Sequence, residues 1–326
     1  MSLSRPRAVL TLDGRALTSA EAAVARLRVL LGVGGAHDPA EVVVWPASKL
    51  SAATPGSTLA IALGEEGEEE DVWAGEVAEV SAGPDGVVLD ALAGTVALGR
   101  ERVSRTYLDQ TVADVVRDLA GSAPVDEVGG DLELPAYTVD DRRTVWAHLR
   151  ELAALAGSDL GSAPDGGLRF VPPRTGSADH TFRHGAELLS WTAAAGTART
   201  APAVAAHGAA SEAGAEQWHW LRRSPSGSGG ALRVPAAVRT RDAAEAVAQA
   251  LAARAERAAV RGVLRLWGMP QVRPGDLVEA ADLPTGDPGT LRVLRVEHVL
   301  DGRSGFTTTL DVEGAGGGGG LPGGLI

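Results

Sequence analysis

The chain has 326 residues, of which 44% are apolar and 4% aromatic, and a formal net charge of −12. That length supports two or three domains with their own cores, and that apolar share excludes a disordered chain. With no Lys/Arg cluster clear of neighbouring acids, a nucleic-acid backbone is not an expected partner, and with no cysteine there is no disulfide, thiolate metal site or cysteine nucleophile.

Residues 1 to about 100 read as short strands broken by turn residues. Val9–Leu12 ends at Asp13-Gly14, a hairpin signal. Arg26–Leu31 stops at Gly32-Val33-Gly34-Gly35, and Glu41–Trp45 is halted by Pro46. Ala20–Leu31 is Ala-rich enough to suit a helix too, and only its second half is read as strand. Leu59–Leu63 follows Pro55-Gly56, Val72–Val80 is a longer strand, and Val87–Leu92 follows Gly83-Pro84-Asp85-Gly86. This spacing predicts a small β-barrel or sandwich.

The period then changes. Thr111 is placed to cap a helix with Val112, Val115, Val116 and Leu119 on one face, closed by Gly121. A second helix is predicted from near Asp140-Asp141, burying Val145, Leu149, Leu152 and Leu155 or Ala156, up to Gly157. Leu168–Val171 and His180–Arg183 read as strands, so 101–190 is expected to be an α+β insert. From 191 the strands return: Trp191, Val204–His207, Gln217–Leu221, Val263–Trp267, Leu277–Ala280, Leu291–Leu300 and Phe306–Val312. Ser224–Gly230 is a loop by composition, Arg241 to about Ala259 a helix capped by Thr240, and 315–326 a Gly-rich tail.

An internal repeat links the two β stretches. Pro55-Gly56 and Pro274-Gly275 lie 219 residues apart, and the same offset pairs Val77 with Val296, Val80 with Val299, Gly83 with Gly302 and Gly86 with Gly305. Turns that need glycine at fixed distances imply strands of matching length. The fold class predicted is mainly β (α+β), with two similar barrels at 1–100 and 191–314 flanking the insert.

Candidate chemistry is sparse. Asp179, His180 and His184 suggest metal ligands, but on strand-like sequence the two imidazoles would stand about 13 Å apart, too far for one ion. There is no Gly-x-Ser-x-Gly elbow and no phosphate loop, and Gly32-Val33-Gly34-Gly35 lacks the third glycine of a dinucleotide fingerprint. Paired carboxylates for glycoside hydrolysis stay open, since any acidic chain offers pairs. Glu65–Asp71 reads as a solvated acidic hairpin, or else a docking patch for a basic partner. Trp218 and Trp220 share one strand face and suit core or interface packing, or else a sugar platform. No catalytic, cofactor-binding or metal-ligating residue is assigned, and no cofactor is expected.

Three stretches resemble the hub family of contractile tails, which includes the phage late control D proteins and the base of valine–glycine-repeat spike proteins. Arg105–Val116, with its Gln110-Thr111 turn, resembles the family's strand and helix. Tyr137–Leu149, continued by Glu151-Leu152-Ala153 and Gly157, is similar to its acidic turn and helix, and Asp165–Phe170 to the hairpin that follows. Arg273–Val278, Leu291–Val299 and Phe306–Val312 resemble its closing strands. The resemblance spans about residues 1–314 and implies a non-enzymatic baseplate hub of a contractile injection system. Such a hub is a homotrimeric symmetry adaptor whose two tube-like barrels per subunit join a six-fold tail tube to a three-fold spike. The partners implied are further copies of the chain, the tube protein, the spike protein and other baseplate proteins. No spike-like domain follows the second barrel, so the spike is expected as a separate chain. The alternative is a cell-wall-binding or cell-wall-degrading tail module. With no h-region in Met1–Gly14 and no run of about 18 apolar residues, the expected location is the bacterial cytoplasm during assembly of a phage-tail-like particle.

Overall fold

Alternating side chains dictate most of the molecule, because successive strand residues face opposite sides of a sheet. The computed structural model describes residues 5–84, 86–197, 201, 203–205, 231–233, 238–284, 286 and 288–316. The first β unit consists of β1 (Pro6–Leu12), β2 (Arg15–Thr18), β3 (Val24–Gly32), β4 (Pro39–Val44), β5 (Thr58–Glu65), β6 (Glu68–Gly83) and β7 (Gly86–Ala93). The chain continues through α1 (Val96–Arg100), β8 (Arg105–Thr111), α2 (Val112–Ala120), β9 (Val125–Val128), β10 (Glu133–Val139), α3 (Val145–Ala156), β11 (Asp159–Ser162) and β12 (Leu168–Val171). The remainder is β13 (His180–Arg183), β14 (Leu188–Ala195), β15 (Ala203–Ala205), β16 (Ala231–Arg233), α4 (Arg241–Arg257), β17 (Val260–Trp267), β18 (Leu277–Ala281), β19 (Leu291–Asp301) and β20 (Gly305–Gly314).

The fold is mainly β, with both expected units present. Among the described residues hydrogen bonding closes neither unit into a barrel. A single 13-stranded sheet runs β14-β17-β20-β19-β3-β4-β7-β6-β5-β1-β2, with β18 on β19 and β13 on β18. The reason lies in β19. Its first residues pair with β18 at Leu291 and Arg292, and its second half, Arg295–Asp301, is left for β3. The end strand of one unit thus finds its partner in the other, and the cores merge along Leu27, Val29, Leu31, Val296 and Leu310.

The two units share one strand order. β1-β5-β6-β7-β4-β3 corresponds to β13-β18-β19-β20-β17-β14, with β2 as an addition at one edge. Even the irregularities coincide: a bulge interrupts β6 between Val77 and Glu79, and β19 between Val293 and Arg295. Another sits between Val24 and Arg26 of β3, matched between Leu188 and Ser190 of β14. One edge differs, since β1 runs antiparallel to β5 whereas β13 runs parallel to β18.

The bulges correct the register read from the sequence. The turns match as predicted: Gly56 (φ 93°) and Gly275 (φ 94°) both need the left-handed region open to glycine. The structural partner of Val77, however, is Val293 and not Val296, because Val77 N–H donates to Ser57 O at 2.9 Å and Val293 N–H to Asp276 O at 2.9 Å. The strand arms beyond the bulge carry five residue pairs in β6–β7 and seven in β19–β20. Gly86 and Gly305 each begin the returning strand, β7 and β20, but they match only as turn ends: Asp90, opposite Glu79, corresponds to Asp311, opposite Arg295. The pairings of Val80 with Val299 and Gly83 with Gly302 fail with Val77.

A second core lies beside the sheet. α2 forms as predicted, with Thr111 Oγ1 accepting Asp114 N–H at 3.2 Å. α3 starts later than expected. Asp140 Oδ1 accepts Arg142 N–H at 3.1 Å, a local turn that competes with helix, so Thr144 becomes the cap. Leu98, Val116, Leu119, Leu149, Leu152 and Phe170 pack with Val238, Ala244 and Val247, so α4 belongs to this core.

Buried charges fasten the two layers. Arg292 of β19 is 2% exposed and bonds Asp159 of β11 on one side and Glu313 of β20, at 2.8 Å, on the other. Arg257 of α4 reaches the same Glu313 at 3.2 Å. Trp146 of α3 donates its indole N–H to Gly35 O at 2.8 Å, just past β3.

Candidate functional site

Where a sheet-rich protein exposes large apolar side chains, those positions are candidates for contact with partners. β4 and β17 are equivalent strands, and an exposed tryptophan follows the one and closes the other: Trp45, just after Val44, is 56% exposed and Trp267 is 52% exposed. Their backbones are held alike, Trp45 N–H donating to Ala23 O at 3.0 Å and Trp267 N–H to Glu187 O at 3.1 Å. Ala23 and Glu187 themselves precede β3 and β14, which correspond. One chain therefore presents the same indole twice, once per unit. The two tryptophans are legible in the sequence as strand ends, but not as a pair, because their spacing differs from that of the Pro-Gly turns.

The groups singled out for chemistry resolve into local contacts. Asp179 Oδ2 accepts Leu277 N–H at 2.9 Å, and its Oδ1 pairs with Arg174 at 2.8 Å. His180 Nε2 lies 3.3 Å from Asp276 Oδ2, and its ring stacks on Phe182. These bonds attach β13 to β18. His184 follows β13, its N–H bonded to Ala281 O. Among the described residues no three His, Cys, Asp or Glu side chains converge as metal ligands would. Glu65–Asp71 forms the β5–β6 hairpin around Gly67 (φ 89°), with Arg7 paired to Glu66 at 3.1 Å and Glu69 at 3.1 Å. The glycine run at 32–35 extends β3 past its end instead of turning: Val33 N–H bonds Leu294 O, and Gly34 bridges to Leu160 of β11. Trp218 and Trp220, His207, the predicted strand Gln217–Leu221, the loop Ser224–Gly230 and all of the tail beyond Gly316 lie outside the described residues.

A cleft of about 240 Å³ lies between the sheet and the second layer, with Asp126, Glu127, Arg169 and Arg273 on its walls. Its arginines are already engaged: Arg169 donates to Pro274 O at 3.1 Å, and Arg273 to Asp71 O at 2.6 Å and Pro270 O at 2.9 Å. Two buried titratable groups stand nearby, Asp38 just before β4 and His298 within β19. Burial pushes the Asp38 carboxyl up to about 7, against the pull of bonds from Ser162 and Gly32 N–H. Burial, with Arg273 adding repulsion, pushes His298 down to about 3. Asp38 ties β3 to β11, and His298 bonds Thr308 at 3.0 Å.

No protein-family model matches the chain, and no curated protein does. Solved structures do. A tail protein from Neisseria meningitidis matches with a TM-score of 0.72 at 15% identity, over 95% of this chain and 96% of that one. The 43 kDa tail protein of prophage MuSo2 from Shewanella oneidensis matches with a TM-score of 0.69 at 14% identity, over 95% and 98%. The chain has the fold of phage tail proteins. The Escherichia coli c3393 protein, described as a type VI secretion component structurally similar to the T4 tail proteins gp27 and gp5, matches with a TM-score of 0.57 at 11% identity, over 91% and 75%. Against that tail-protein fold, the paired tryptophans stand out as a feature of the duplicated unit itself, one per copy. No helix among the described residues is long and apolar enough to cross a membrane.

Proposed function

We propose that this chain is the structural baseplate hub of a contractile injection system: a homotrimer that adapts a six-fold tail tube to a three-fold spike. The observation that carries the reading is the duplicated unit, with the same strand order, matching bulges and an exposed tryptophan at the same place in each copy. A three-fold ring offers six equal contacts only if each subunit supplies two similar surfaces. Three chains of two units supply six, with Trp45 and Trp267 alternating around the face that meets the tube. The role is structural, and the tail-protein fold supports it. The domain plan is two tube-like units, an α+β insert and a Gly-rich tail at 315–326; the first unit is near 1–100, and the second starts at β13 (His180–Arg183) rather than at the expected 191, while α4 (Arg241–Arg257) packs with the insert. The partners are the tube protein, the spike protein and other baseplate components, assembled in the bacterial cytoplasm. No described residue favours a cell-wall-binding or cell-wall-degrading role.

Light scattering on the purified chain tests the copy number. The monomer is 33.2 kDa, so a trimer of about 100 kDa is expected, and its projection in negative stain should show a six-lobed ring. Six copies per ring, or a monomer at every concentration, would overturn the reading.

A further inference from the structure

The seam between the first β unit and the insert is stitched by backbone. Past the end of β3, Leu160 N–H donates to Val33 O at 3.2 Å and Gly35 N–H to Leu160 O at 2.9 Å. The chains run so close that a Cβ on Gly161 would stand 2.4 Å from Gly32 O. Trp146 of α3 joins the same seam through its bond to Gly35 O. One side chain also crosses it, that of Asp38, which is 3% exposed. The Asp38 main chain is fixed to the first unit, its carbonyl accepting the Trp73 indole N–H at 3.0 Å and Ala93 N–H at 2.9 Å. Its carboxyl spans both sides: Oδ1 accepts Gly32 N–H at 2.9 Å, and Oδ2 accepts Ser162 N–H of β11 at 3.2 Å.

Both of those donors are neutral. Among the described residues no charged side chain of β3, β6, β7 or β11 acts on Asp38; Asp159, also on β11, is committed to Arg292. A buried carboxylate without a cation is costly in its charged form, so this group is stable either protonated in the closed seam or ionised in contact with water. The Ser162 hydroxyl and the N–H donors favour the ion, and burial outweighs them, pushing the carboxyl up to about 7. A row of polar side chains leads away from it. Ser162 Oγ lies 3.0 Å from Thr95 Oγ1, and Thr95 Oγ1 lies 3.4 Å from His37 Nδ1. Thr95 is buried, whereas His37 is half-buried, its ring 4.5 Å from that of Trp146. The charged groups at this outer end are Arg100 of α1 and Arg150 of α3. Burial first, then their repulsion, holds the His37 imidazole below its ordinary value.

We propose that Asp38 is a proton-operated clasp between the first β unit and the insert: protonated, it holds β11 against the end of β3, and ionised, it favours the opened seam, where water solvates the charge. The protonated clasp is fully bonded. Asp38 O–H donates toward Ser162 Oγ, the Ser162 hydroxyl toward Thr95 Oγ1, and the Thr95 hydroxyl toward His37 Nδ1, with the proton taken from solvent and returned to it. In the opened seam the carboxyl goes back to its ordinary 3.8, so closure is favoured fully below that value, and the advantage is lost as pH rises through about 7. His37 acts in the opposite sense and only in acid, because the closed seam resists its charge. The clasp operates within a single chain and does not rest on the hub reading.

Hydrogen exchange on the full chain reads the seam directly. After correction for the intrinsic pH dependence of exchange, opening at the Gly32, Gly35, Leu160 and Ser162 amides should rise by up to about tenfold per pH unit from pH 5 towards 7. Above about 7 it should level off. The amides of Ile61 in β5 and Val116 in α2, one in each core, should not follow. Asp38→Asn, which cannot ionise, should abolish the slope whatever its effect on the closed seam. Carboxyl-labelled aspartate NMR on the parent protein needs no variant: one carboxyl should titrate near 7, in step with the Gly32 and Ser162 amide shifts. Opening that is flat with pH, a slope that survives in Asp38→Asn, or no carboxyl titrating with those two amides overturns the clasp. A slope shared equally by Ile61 and Val116 overturns it as well, since it assigns the pH dependence to global unfolding. None of these outcomes depends on copy number, so the hub reading stands or falls separately.

Discussion

Arg292→Ala should loosen the attachment of the second layer to the sheet. The guanidinium is 2% exposed and bonds Asp159 and Glu313, themselves 8% and 6% exposed. Removing one partner of a buried ion pair costs about 3–5 kcal/mol, because the other charge is left uncompensated. Arg257 still neutralises Glu313 at 3.2 Å, so Asp159 carries the deficit and the lower end, about 3 kcal/mol, is expected. Against a total stability of about 5–15 kcal/mol, urea denaturation resolves such a loss readily. The loss should also depend on pH. Burial raises the Asp159 carboxyl, and Arg292 is first among the groups that pull it back. Without Arg292 the folded state holds that proton to higher pH than the unfolded chain, so folding gains less as pH rises. The deficit against the parent should therefore be larger at pH 8 than at pH 5. Arg292→Met combined with Asp159→Leu should recover most of it, since apolar groups of similar volume replace a buried pair at little cost. A loss below about 1 kcal/mol, the range of exposed ion pairs, or a deficit equal at both pH values would refute the network's role.

Trp45→Ala and Trp267→Ala should each weaken capture of the tube protein to a similar degree, at about 2 kcal/mol per contact for a central aromatic, while leaving the denaturation midpoint nearly unchanged. Unequal effects would show that the two units do not meet the tube alike. His298→Leu removes a group whose folded pKa lies near 3, below its unfolded value of 6.5. Relative to the parent, the variant should gain stability as pH falls through that window, by at most about 1.4 kcal/mol per pH unit; a flat difference curve from pH 7 to pH 4 would contradict the buried neutral imidazole. Asp38, pushed up to about 7, acts oppositely, so its contribution falls as pH rises from 3.8 to 7 and partly masks the His298 effect in the parent. Gly75→Ala should cost about 1–3 kcal/mol by overpacking, because a Cβ there would stand 2.1 Å from Leu92 O and 2.7 Å from Ala93 Cα. Gly34→Ala, with nothing within 4 Å, should be neutral in the same thermal melt.

Local signals carried much of the fold into the sequence. Thr111 and Thr240 cap helices and Gly121 and Gly157 end them, because orphan backbone groups at helix ends need partners only certain residues supply. The Pro-Gly turns marked the duplication, since a positive φ admits few residues. What stayed hidden is long-range. Bulges have no residue signature here, so the true equivalence of Val77 and Val293 could not be read. β2, β9 and β11 are short and lack alternation strong enough to announce them. The β3–β19 pairing joins residues more than 260 positions apart, a distance at which no local pattern marks a partner. The matched tryptophans were individually visible, yet their equivalence needed the strand order.

The β3–β19 junction also governs how the chain comes off the ribosome. β3 is complete by Gly32, but its outer neighbour starts at Arg295. At roughly 5–20 residues per second, that interval of some 260 residues lasts about 13–50 s. Throughout it the nascent first unit carries Leu27, Val29 and Leu31 beside an unsatisfied edge, the arrangement most prone to mispairing with a neighbouring polysome product. Slow synthesis favours aggregation of this chain over completion, so its yield should respond to translation speed and chaperone supply more than its final stability would suggest.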